Sequence, residues 1–549
     1  MTATDTHIDT HVDDHVSTDL DPSDGLYRLV ASNDHKMVGR LWIGASVLFL
    51  LAVAILGVVS NIERISLDGI GVFGDVATYF QSWALFRTAA IFMVVVPLFI
   101  GIATVIVPLQ IGSASVAFPR LAAASFWSWF MASSIHIASF LADGGLGPAE
   151  GTNDEGTVLS IVSLGLMIVS ILAASVCIAT SVIALRPAGM TLVRVPAFTW
   201  SMLVATSVWL FSLPVLIANL IYAYVDLQGR EPIAFGNPDR LWSSIEWAWS
   251  QPQVYAYAIP VLGVLADVVP VSAKHRQANR SVVLALIGLF GVLSFGAWAQ
   301  HALSRGADPV FEGGNYIYDE FLYIAFGLVV VLPVLGVLGG VADTLRRGSI
   351  PKLSAAFLGA LTGVILVLGA ATAGALRVIP LWDALHEENQ LLSSSTAQLS
   401  LVFAAAIASG IGALAYWSPK IFGGYANEPL AMLGVMAVFM GGLTAGVADM
   451  VSAFLGQPDI SVAPVSESAV ETMNLMVVIG LVLIAGGALA LIGALVPAAS
   501  SDEQLPDDPW DGHTLEWAAP SPPPVGNFVE ALEVVASAEP LLDEFEEVS

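Results

Sequence analysis

The sequence predicts an all-α integral membrane protein with twelve transmembrane helices, and three observations support this fold class. Of the 549 residues, 56% are hydrophobic and only 12% are charged, whereas soluble domains carry about 25% charged residues. Apolar runs of roughly 20 residues are long enough to cross a bilayer as helices. The segments between them lack the alternation of transmembrane β-strands, which leaves a helical bundle. Twelve such runs occur: 40–60, 84–107, 122–143, 157–185, 196–225, 253–270, 281–303, 319–342, 353–375, 397–417, 429–455 and 470–498.

The first run is too long for the apolar core of a signal peptide, so we take it as a true span. Basic side chains then indicate the orientation, because cytoplasmic loops are enriched in Lys and Arg. With the N-terminus inside, thirteen of the 19 basic residues fall in cytoplasmic segments and five in outer loops. Both termini are therefore predicted to be cytoplasmic. The remaining basic residue, Arg87, is expected to anchor the second run at the outer membrane interface.

The formal net charge of −27 comes mostly from the two ends of the chain. Residues 1–24 contain seven Asp and residues 501–549 contain thirteen acidic side chains, with no Lys or Arg in either segment. We therefore predict disordered acidic cytoplasmic tails over 1–34 and 499–549, flanking one membrane domain over 35–498. The acidic bias argues against nucleic acid as a partner, because phosphate binding needs basic clusters.

Cysteine and histidine are scarce in this chain. The single cysteine, Cys177, lies inside an apolar run, which excludes disulfides and thiolate clusters and favours core packing. His7, His11 and His15 recur every four residues, but in a leader rich in Thr and Asp we expect this pattern to be incidental rather than a metal site. His136 stands alone in the third run, where we expect an interhelical hydrogen bond.

Aromatic, amide and phenol side chains beside a proline lead into the sixth run, with the sequence Trp-Ala-Trp-Ser-Gln-Pro-Gln-Val-Tyr over 247–255. This stretch resembles the signature helix of subunit I of the haem-copper oxidases, the cytochrome c oxidase family. Other segments similar to that family occur in the family's order, so the resemblance covers about residues 32–498 and implies the twelve-helix fold of subunit I. These segments are 32–39, 107–112, 117–120, 125–127, 298–302 and 416–423.

The resemblance implies haem and copper ligands at positions that mostly hold other residues here. In the family, six histidines from the second, sixth, seventh and tenth spans are the ligands, since imidazole nitrogen suits both metals. The position of the low-spin haem ligand is Phe86, and the position of the first copper ligand is Gln251. The histidine pair of the seventh span corresponds to Gln300 and His301.

The tenth span carries a His-x-His pair in the family, and its register in this chain is open. Counting from the preceding motif places the pair at Ser394 and Thr396, whereas counting back from the following motif places it at Ala397 and Leu399. Neither register contains histidine, so only His301 matches one of the six ligands. The resemblance therefore implies a centre without haem or copper.

Groups that bind haem propionates and carry protons in the family are also replaced. The resemblance aligns two propionate-binding arginines with Ala445 and Gly446, although arginine is the residue best suited to paired carboxylates. The family's proton-path positions correspond to Ser115, Gln253 and Val329, all of which are neutral. Ionisable groups inside a membrane are costly and are held for function, so their absence implies that the proton path is lost.

On the predicted outer face, His386 and Glu387 resemble a His-Asp pair that helps to bind magnesium in the family. With Glu388 beside them, the carboxylates suit a hard cation such as Mg²⁺. A solvated loop without a metal is the alternative interpretation.

The residues at the copper position suggest a role without chemistry. Gln251, Gln253, Tyr255, Gln300 and His301 are expected to form a neutral hydrogen-bonded cluster that fills the space of the copper centre. Interhelical hydrogen bonds of this kind contribute about 0.6 kcal/mol each, which holds helices in place without catalysis. A single copper ion on His301 and Gln251 is the alternative.

Three functions follow from these observations. The first is a structural or assembly subunit of a respiratory complex in a prokaryotic plasma membrane, free of haem and copper, with partners similar to oxidase subunits II and III. The second is an active terminal oxidase that reduces oxygen with electrons from cytochrome c or quinol and moves protons. The third is a transporter or ion-conducting bundle that uses His301, Tyr255 and Asp267. Fold alone does not choose among them.

Overall fold

The computed structural model describes residues 32–65, 71–147, 153–229, 238–299, 324–378, 394–457, 468–501, 504–529 and 534–543. Twelve apolar helices lie in these ranges, and we number them in chain order. They are α1 (His35–Ile62), α2 (Val76–Gln110), α3 (Pro119–Leu141), α4 (Asp154–Ala184), α5 (Ala197–Leu227), α6 (Gln253–Ala273), α7 (Arg280–Leu293), α8 (Ile324–Arg347), α9 (Ala355–Arg377), α10 (Ser394–Ile421), α11 (Glu428–Phe454) and α12 (Ser468–Ser500).

These helices coincide with the twelve apolar runs of the sequence, so the predicted all-α membrane bundle is confirmed. Ten of the helices within the described ranges are long and apolar enough to cross a membrane. The other two are α3, with 23 residues, and α7, with 14 residues. The described part of the chain contains no β-strand.

Polar side chains mark where several helices begin, because they accept hydrogen bonds from backbone N–H groups that have no partner inside the helix. The side chain of Asp34 accepts from the N–H of Lys36 at the start of α1. Ser354 does the same for α9 and Asn427 for α11. Helix boundaries therefore follow from local sequence at these points.

The centre of the bundle consists of α2, α6 and α10, whose most apolar stretches are wholly buried. A helix that is apolar on every side is expected to be surrounded by other helices. Within α2, the segment Ala90–Val95 forms a short π-helical stretch, and all six of its residues are buried. Of the predicted metal positions within the described residues, Phe86 lies on α2 and Gln251 lies just before α6.

Several neighbouring helices approach one another closely at glycine residues, as is common in membrane bundles. A Cβ atom on Gly480 of α12 would lie 2.5 Å from the carbonyl oxygen of Gly441 in α11. A Cβ atom on Gly359 of α9 would lie 2.6 Å from the carbonyl oxygen of Ala408 in α10. The pairs α11–α12 and α9–α10 are therefore packed backbone to backbone.

Residues 504–529 pack against the end of the bundle, and we call them the C-terminal strap. The disordered tail expected over 499–549 is therefore wrong for this segment, in which Trp517 is 1% exposed and Glu516 is 0% exposed. Aromatic and proline residues within the acidic tail supply the apolar surface that makes this packing favourable. The acidic composition of the tail alone therefore did not reveal that residues 504–529 fold onto the helices.

The C-terminal strap also reaches the start of α1 and the loop after α2. The Lys36 ammonium donates to Asn527 Oδ1 at 3.3 Å, and Asn527 Nδ2 donates to the carbonyl oxygen of Ser113 at 2.7 Å. These contacts gather the N-terminal end of α1, the C-terminal end of α2 and the strap at one end of the molecule. That this end is cytoplasmic stays a prediction from the basic residues.

Candidate functional site

Gln251, Tyr255 and Gln398 form the centre of the candidate site, where the start of α6 meets α10. The Tyr255 hydroxyl lies 3.2 Å from Gln251 Oε1 and 3.3 Å from the carbonyl oxygen of Ala370 in α9. Gln398 Nε2 donates to the same Gln251 oxygen at 3.1 Å. All three side chains are buried. This arrangement joins three helices through neutral polar groups, as expected for Gln251 and Tyr255.

A glycine provides the space in which these side chains meet. A Cβ atom on Gly374 of α9 would lie 2.0 Å from the Tyr255 hydroxyl oxygen and 2.2 Å from Gln251 Oε1. The amide nitrogen of Gln251 and the amide oxygen of Gln398 have no hydrogen-bond partner among the described residues. The donors gathered here are amides and a phenol, which are weak ligands for copper compared with imidazole.

Gln253 makes its hydrogen bonds elsewhere. Its Nε2 donates to Ser212 Oγ of α5 at 2.9 Å, and its Oε1 accepts from the backbone N–H of Gly296 at 3.0 Å. The amide therefore links α5, α6 and the segment after α7. Within the described residues, the expected single cluster is thus divided into two separate sets of interhelical bonds.

Phe86, which occupies the position of the low-spin haem ligand in the resemblance, is a packing residue. It is 4% exposed. Its ring lies against Gly57 of α1, where a Cβ atom would be 2.6 Å from the ring, and its centroid is 6.3 Å from that of Phe403 in α10. The ring therefore fills the space between α1 and α10.

Arg87 is buried inside the bundle, which corrects the expected role as an interfacial anchor. Its side chain is 2% exposed, and its guanidinium lies 3.9 Å from the centroid of the Trp83 ring. One terminal nitrogen donates to Ser395 Oγ at 3.3 Å, and the other donates to Thr396 Oγ1. Hydroxyl groups of α10 thus replace water around the charge. Arg87 ties α2 directly to α10 beside Phe86.

The two positions that the resemblance aligns with propionate-binding arginines lie close to neighbouring helices. A Cβ atom on Gly446 would lie 2.5 Å from the side chain of Leu401, and Ala445 is fully buried. Of the positions that the resemblance aligns with the family's proton path, Val329 is 39% exposed on α8. Ser115 lies in the loop after α2, where its carbonyl oxygen accepts from Ser113 Oγ at 2.7 Å.

Several predicted site residues lie outside the described residues, and the predictions made for them stay predictions. Within the described ranges there is no group of three or more His, Cys, Asp or Glu side chains that could hold a metal ion. The undescribed positions are Gln300, His301, His386, Glu387, His7, His11 and His15.

The described residues do not fit a haem held between α2 and α10. The Phe86 ring fills the space between α1 and α10, and Arg87 of α2 bonds directly to Thr396 of α10. An axial ligand to haem iron is normally an imidazole, thiolate, thioether or phenolate. Neither Phe86 of α2 nor Thr396 of α10 carries such a group. The geometry here supports helix packing instead.

Sequence reasoning missed Gln398, although one signal was present. It is a polar residue in a largely apolar run, and buried polar groups in membrane helices need partners. By contrast, the expected role of His136 agrees with the structure, since its Nδ1 lies 2.9 Å from Ser163 Oγ of α4. Asp267, named as a transport group, accepts hydrogen bonds from the backbone N–H groups of Ala197 and Phe198 at the start of α5.

Comparisons with known proteins agree with this architecture. A family model described as Cytochrome C and Quinol oxidase polypeptide I matches residues 37–483. Cytochrome c oxidase subunit 1 of Bacillus subtilis is 28% identical over 94% of this chain and 83% of its own length. Heme-copper oxidase subunit I+III of Aeropyrum pernix is 27% identical over 92% of this chain and 61% of its own length.

A solved structure shows the same fold. One chain of a heme-copper terminal oxidase dimer, determined by cryo-EM, matches with a TM-score of 0.63 at 13% sequence identity. The match covers 85% of this chain and 84% of the other. At this identity the likeness concerns the fold and not the chemistry.

Proposed function

This chain belongs to the family of cytochrome c and quinol oxidase polypeptide I, and from that premise we propose that it is a member without haem or copper that serves a structural or assembly role. It is a multi-pass membrane protein, and the bacterial relatives favour a plasma membrane. The proposed role is to supply the subunit I scaffold to a respiratory membrane complex. Its own residues would hold helices together and would not carry electrons.

One observation carries this proposal, namely the direct bonds from Arg87 of α2 to Ser395 and Thr396 of α10. A haem between these helices would have to separate them and would leave the buried guanidinium without its hydroxyl partners. Removing hydrogen-bond partners from a buried charge is destabilising. The contact therefore favours a closed, cofactor-free arrangement.

The neutral cluster at the start of α6 gives independent support. Gln251 Oε1 receives hydrogen bonds from Tyr255 and Gln398, so its best electron-pair donor is already engaged. The side-chain amide of Gln253 donates to Ser212 and accepts from Gly296, so both of its ends are engaged. These contacts stabilise the helix arrangement and leave the described groups few means of binding a metal.

The second candidate is an active terminal oxidase, and the likeness to cytochrome c oxidase subunit 1 over 94% of this chain favours it. This candidate requires haem iron, whereas the first does not. The two are therefore separated by the cofactor content of the purified protein.

The test is the reduced-minus-oxidised visible spectrum of the full-length protein purified from its native membrane in mild detergent, with iron and copper measured on the same sample. We expect no haem bands and less than about 0.1 iron or copper per chain. A haem spectrum with one or more iron atoms per chain would overturn the proposal and establish the oxidase. A control sample grown with added haem precursor and copper excludes a shortage during growth.

The same preparation tests the assembly role. One relative is named subunit I+III, which suggests that a subunit of type III is a partner of the subunit I fold. We expect membrane subunits to copurify in constant ratio after crosslinking in the membrane. A chain that is monomeric both in crosslinked membranes and in detergent would contradict a structural role in a complex.

A further inference from the structure

Glu516 is a fully buried carboxyl group that the proposed function does not use. It lies in the C-terminal strap and is 0% exposed. Its Oε1 accepts from Gln110 Nε2 of α2 at 3.0 Å and from Trp417 Nε1 of α10 at 3.3 Å. Its Oε2 has no hydrogen-bond partner in the described part of the chain. A single carboxyl of the strap is thus inserted between two central helices.

A second buried carboxyl shares the same amide. Gln110 Nε2 also donates to Asp267 Oδ2 of α6 at 3.0 Å, while Gln110 Oε1 accepts from Thr199 Oγ1 at 2.7 Å. Asp267 also accepts hydrogen bonds from two backbone N–H groups at the start of α5. Around Glu516, the Thr514 side chain and the residue's own backbone N–H also favour the charged form, but burial outweighs them. Two carboxylates joined through one amide repel each other when both are charged, so a proton on Glu516 stabilises the pair.

Other charged and titratable groups face this pair from the neighbouring elements. Lys420 of α10 interacts with Glu516, and Arg280 of α7 interacts with Asp267. The Tyr416 hydroxyl of α10 accepts a hydrogen bond from Trp517 Nε1 at 3.1 Å. It also interacts electrostatically with the carboxyls of Glu516 and Asp267. Asp507 and Asp508 of the strap also act on Lys420. The buried Glu539 carboxyl interacts with Asp267 and Arg280 as well. Two cations, Lys420 and Arg280, therefore face five carboxyls and do not neutralise them all.

Part of the attachment of the C-terminal strap is made by its own backbone. The Lys420 ammonium donates to the carbonyl oxygens of Asp507 at 2.8 Å and of Ala519. These bonds do not depend on the protonation of Glu516. Glu516 is thus the fully buried carboxyl of the strap, and it goes from the protein interior to water when the strap leaves. His513, which is 4% exposed, is a second buried titratable side chain of the strap.

We propose that Glu516 and Asp267 form a proton-binding site that controls docking of the C-terminal strap. With a proton on the pair the strap is held against the end of the bundle, and without it the strap is released far more readily. The proton moves between Glu516 and water, and no other reactant is required. This inference is independent of whether the chain binds haem.

The direction of the pH effect follows from the difference between docked and free strap. Burial, together with the nearby Asp267 carboxyl, raises the pKa of Glu516 to about 7 from its ordinary 4.5. The docked strap therefore binds more protons than the free strap between these values. Docking is strongest below pH 4.5, weakens as pH rises and levels off above about pH 7. The difference between the two pKa values corresponds to a roughly 300-fold change in the docking constant.

Hydrogen exchange followed by mass spectrometry on the full-length protein in detergent micelles tests the proposal. The readout is the protection of strap peptides covering 510–519, corrected for the intrinsic exchange rate at each pH. We expect protection to fall about tenfold per pH unit between pH 5 and 7 and to become constant above that. Protection that is the same at all pH values would overturn the proposal.

Variants separate the proton site from a general loosening of the strap. Glu516→Gln keeps an uncharged group of the same shape, so its protection should be high and independent of pH. Asp511→Asn is the matched control, because Asp511 is a strap carboxylate whose side chain is 70% exposed, and it should keep the wild-type slope. A wild-type slope in E516Q would overturn the proposal.

If E516Q does not fold, a second variant tests whether the two carboxyls act as a pair. Asp267→Asn removes the neighbouring charge, so the pH at which protection levels off should move down toward the ordinary range of a glutamate. Monodisperse elution and unchanged helix content confirm that the variant is folded. A D267N protein with the wild-type pH profile would show that the two carboxyls do not act as a pair.

Discussion

Arg87 illustrates, at the scale of single residues, how this bundle keeps a charge in its interior. The guanidinium lies over Trp83 and donates to two hydroxyl groups of α10. Arginine presents donors in a planar fork and can stack on an aromatic ring, whereas lysine offers a compact ammonium without a plane. The structure therefore requires the shape of arginine at this position and not only its charge.

Replacing Arg87 with lysine should lower the free energy of unfolding by about 1–3 kcal/mol, because one hydroxyl bond and the ring contact are lost while the buried charge stays. The measurement is the denaturant dependence of the near-ultraviolet signal in mixed micelles. Arg346→Lys is the control, since the Arg346 side chain is 82% exposed, and we expect it to change stability by less than about 0.5 kcal/mol. Equal effects of the two substitutions would contradict the role assigned to Arg87.

At the scale of helices, the spacing between α11 and α12 is set by residues that lack a side chain. A Cβ atom on Gly480 would meet the backbone of α11 at 2.5 Å, while one on Gly486 would meet nothing within 4 Å. Both glycines belong to α12 and differ only in what they face. The helix thus contains a close-packed position and an open one six residues apart.

Gly480→Ala should destabilise the protein by about 1–3 kcal/mol or more, because the added methyl group forces the backbones of α11 and α12 apart. Gly486→Ala should instead be neutral or stabilise it by up to about 1 kcal/mol, since alanine favours the helix. Thermal unfolding in the same detergent compares the two. A G480A protein as stable as G486A would show that this contact is looser than the structure indicates.

At the scale of the whole molecule, the C-terminal strap connects parts of the chain that are far apart in sequence. It contacts the start of α1 through Asn527 and the end of α10 through Lys420. Lys420 is fully buried and donates to backbone carbonyl oxygens of the strap. The strap therefore closes one end of the bundle.

Lys420→Met should release the C-terminal strap without unfolding the helices, because hydrogen bonds to a charged donor contribute about 1.5–3 kcal/mol. We expect chymotrypsin to cleave after Trp510 and Trp517 roughly tenfold to 100-fold faster, with the remaining chain intact by mass spectrometry. Chymotrypsin is suitable because the strap contains no Lys or Arg.

Lys274→Met provides the control for this measurement. Lys274 pairs with Asp511 of the strap at 3.1 Å, but both side chains are mostly exposed, and such pairs contribute little. Cleavage at the wild-type rate is therefore expected. A K420M protein with wild-type cleavage would mean that other contacts are sufficient to hold the strap.

Much of the fold was predictable because a membrane imposes simple rules on sequence. A helix must hydrogen-bond its own backbone and be apolar for about 20 residues, and α1 to α12 all coincide with such runs. The motifs also pointed to Phe86 and Gln251, whose correspondence to metal-ligand positions stays a prediction. The partners of Arg87 and Gln251 could not be located in this way, because Thr396 and Gln398 are more than 140 residues away in sequence from the groups they contact.

The sequence by itself determined the helical membrane class and the number of apolar helices. Only the tertiary structure decided that Arg87 is an internal tie, that Gln251 and Gln253 serve two separate sets of bonds, and that the C-terminal strap is folded. Hydropathy and motif are properties of a chain segment. Burial and pairing depend on which distant segments meet, and that is settled when the helices pack.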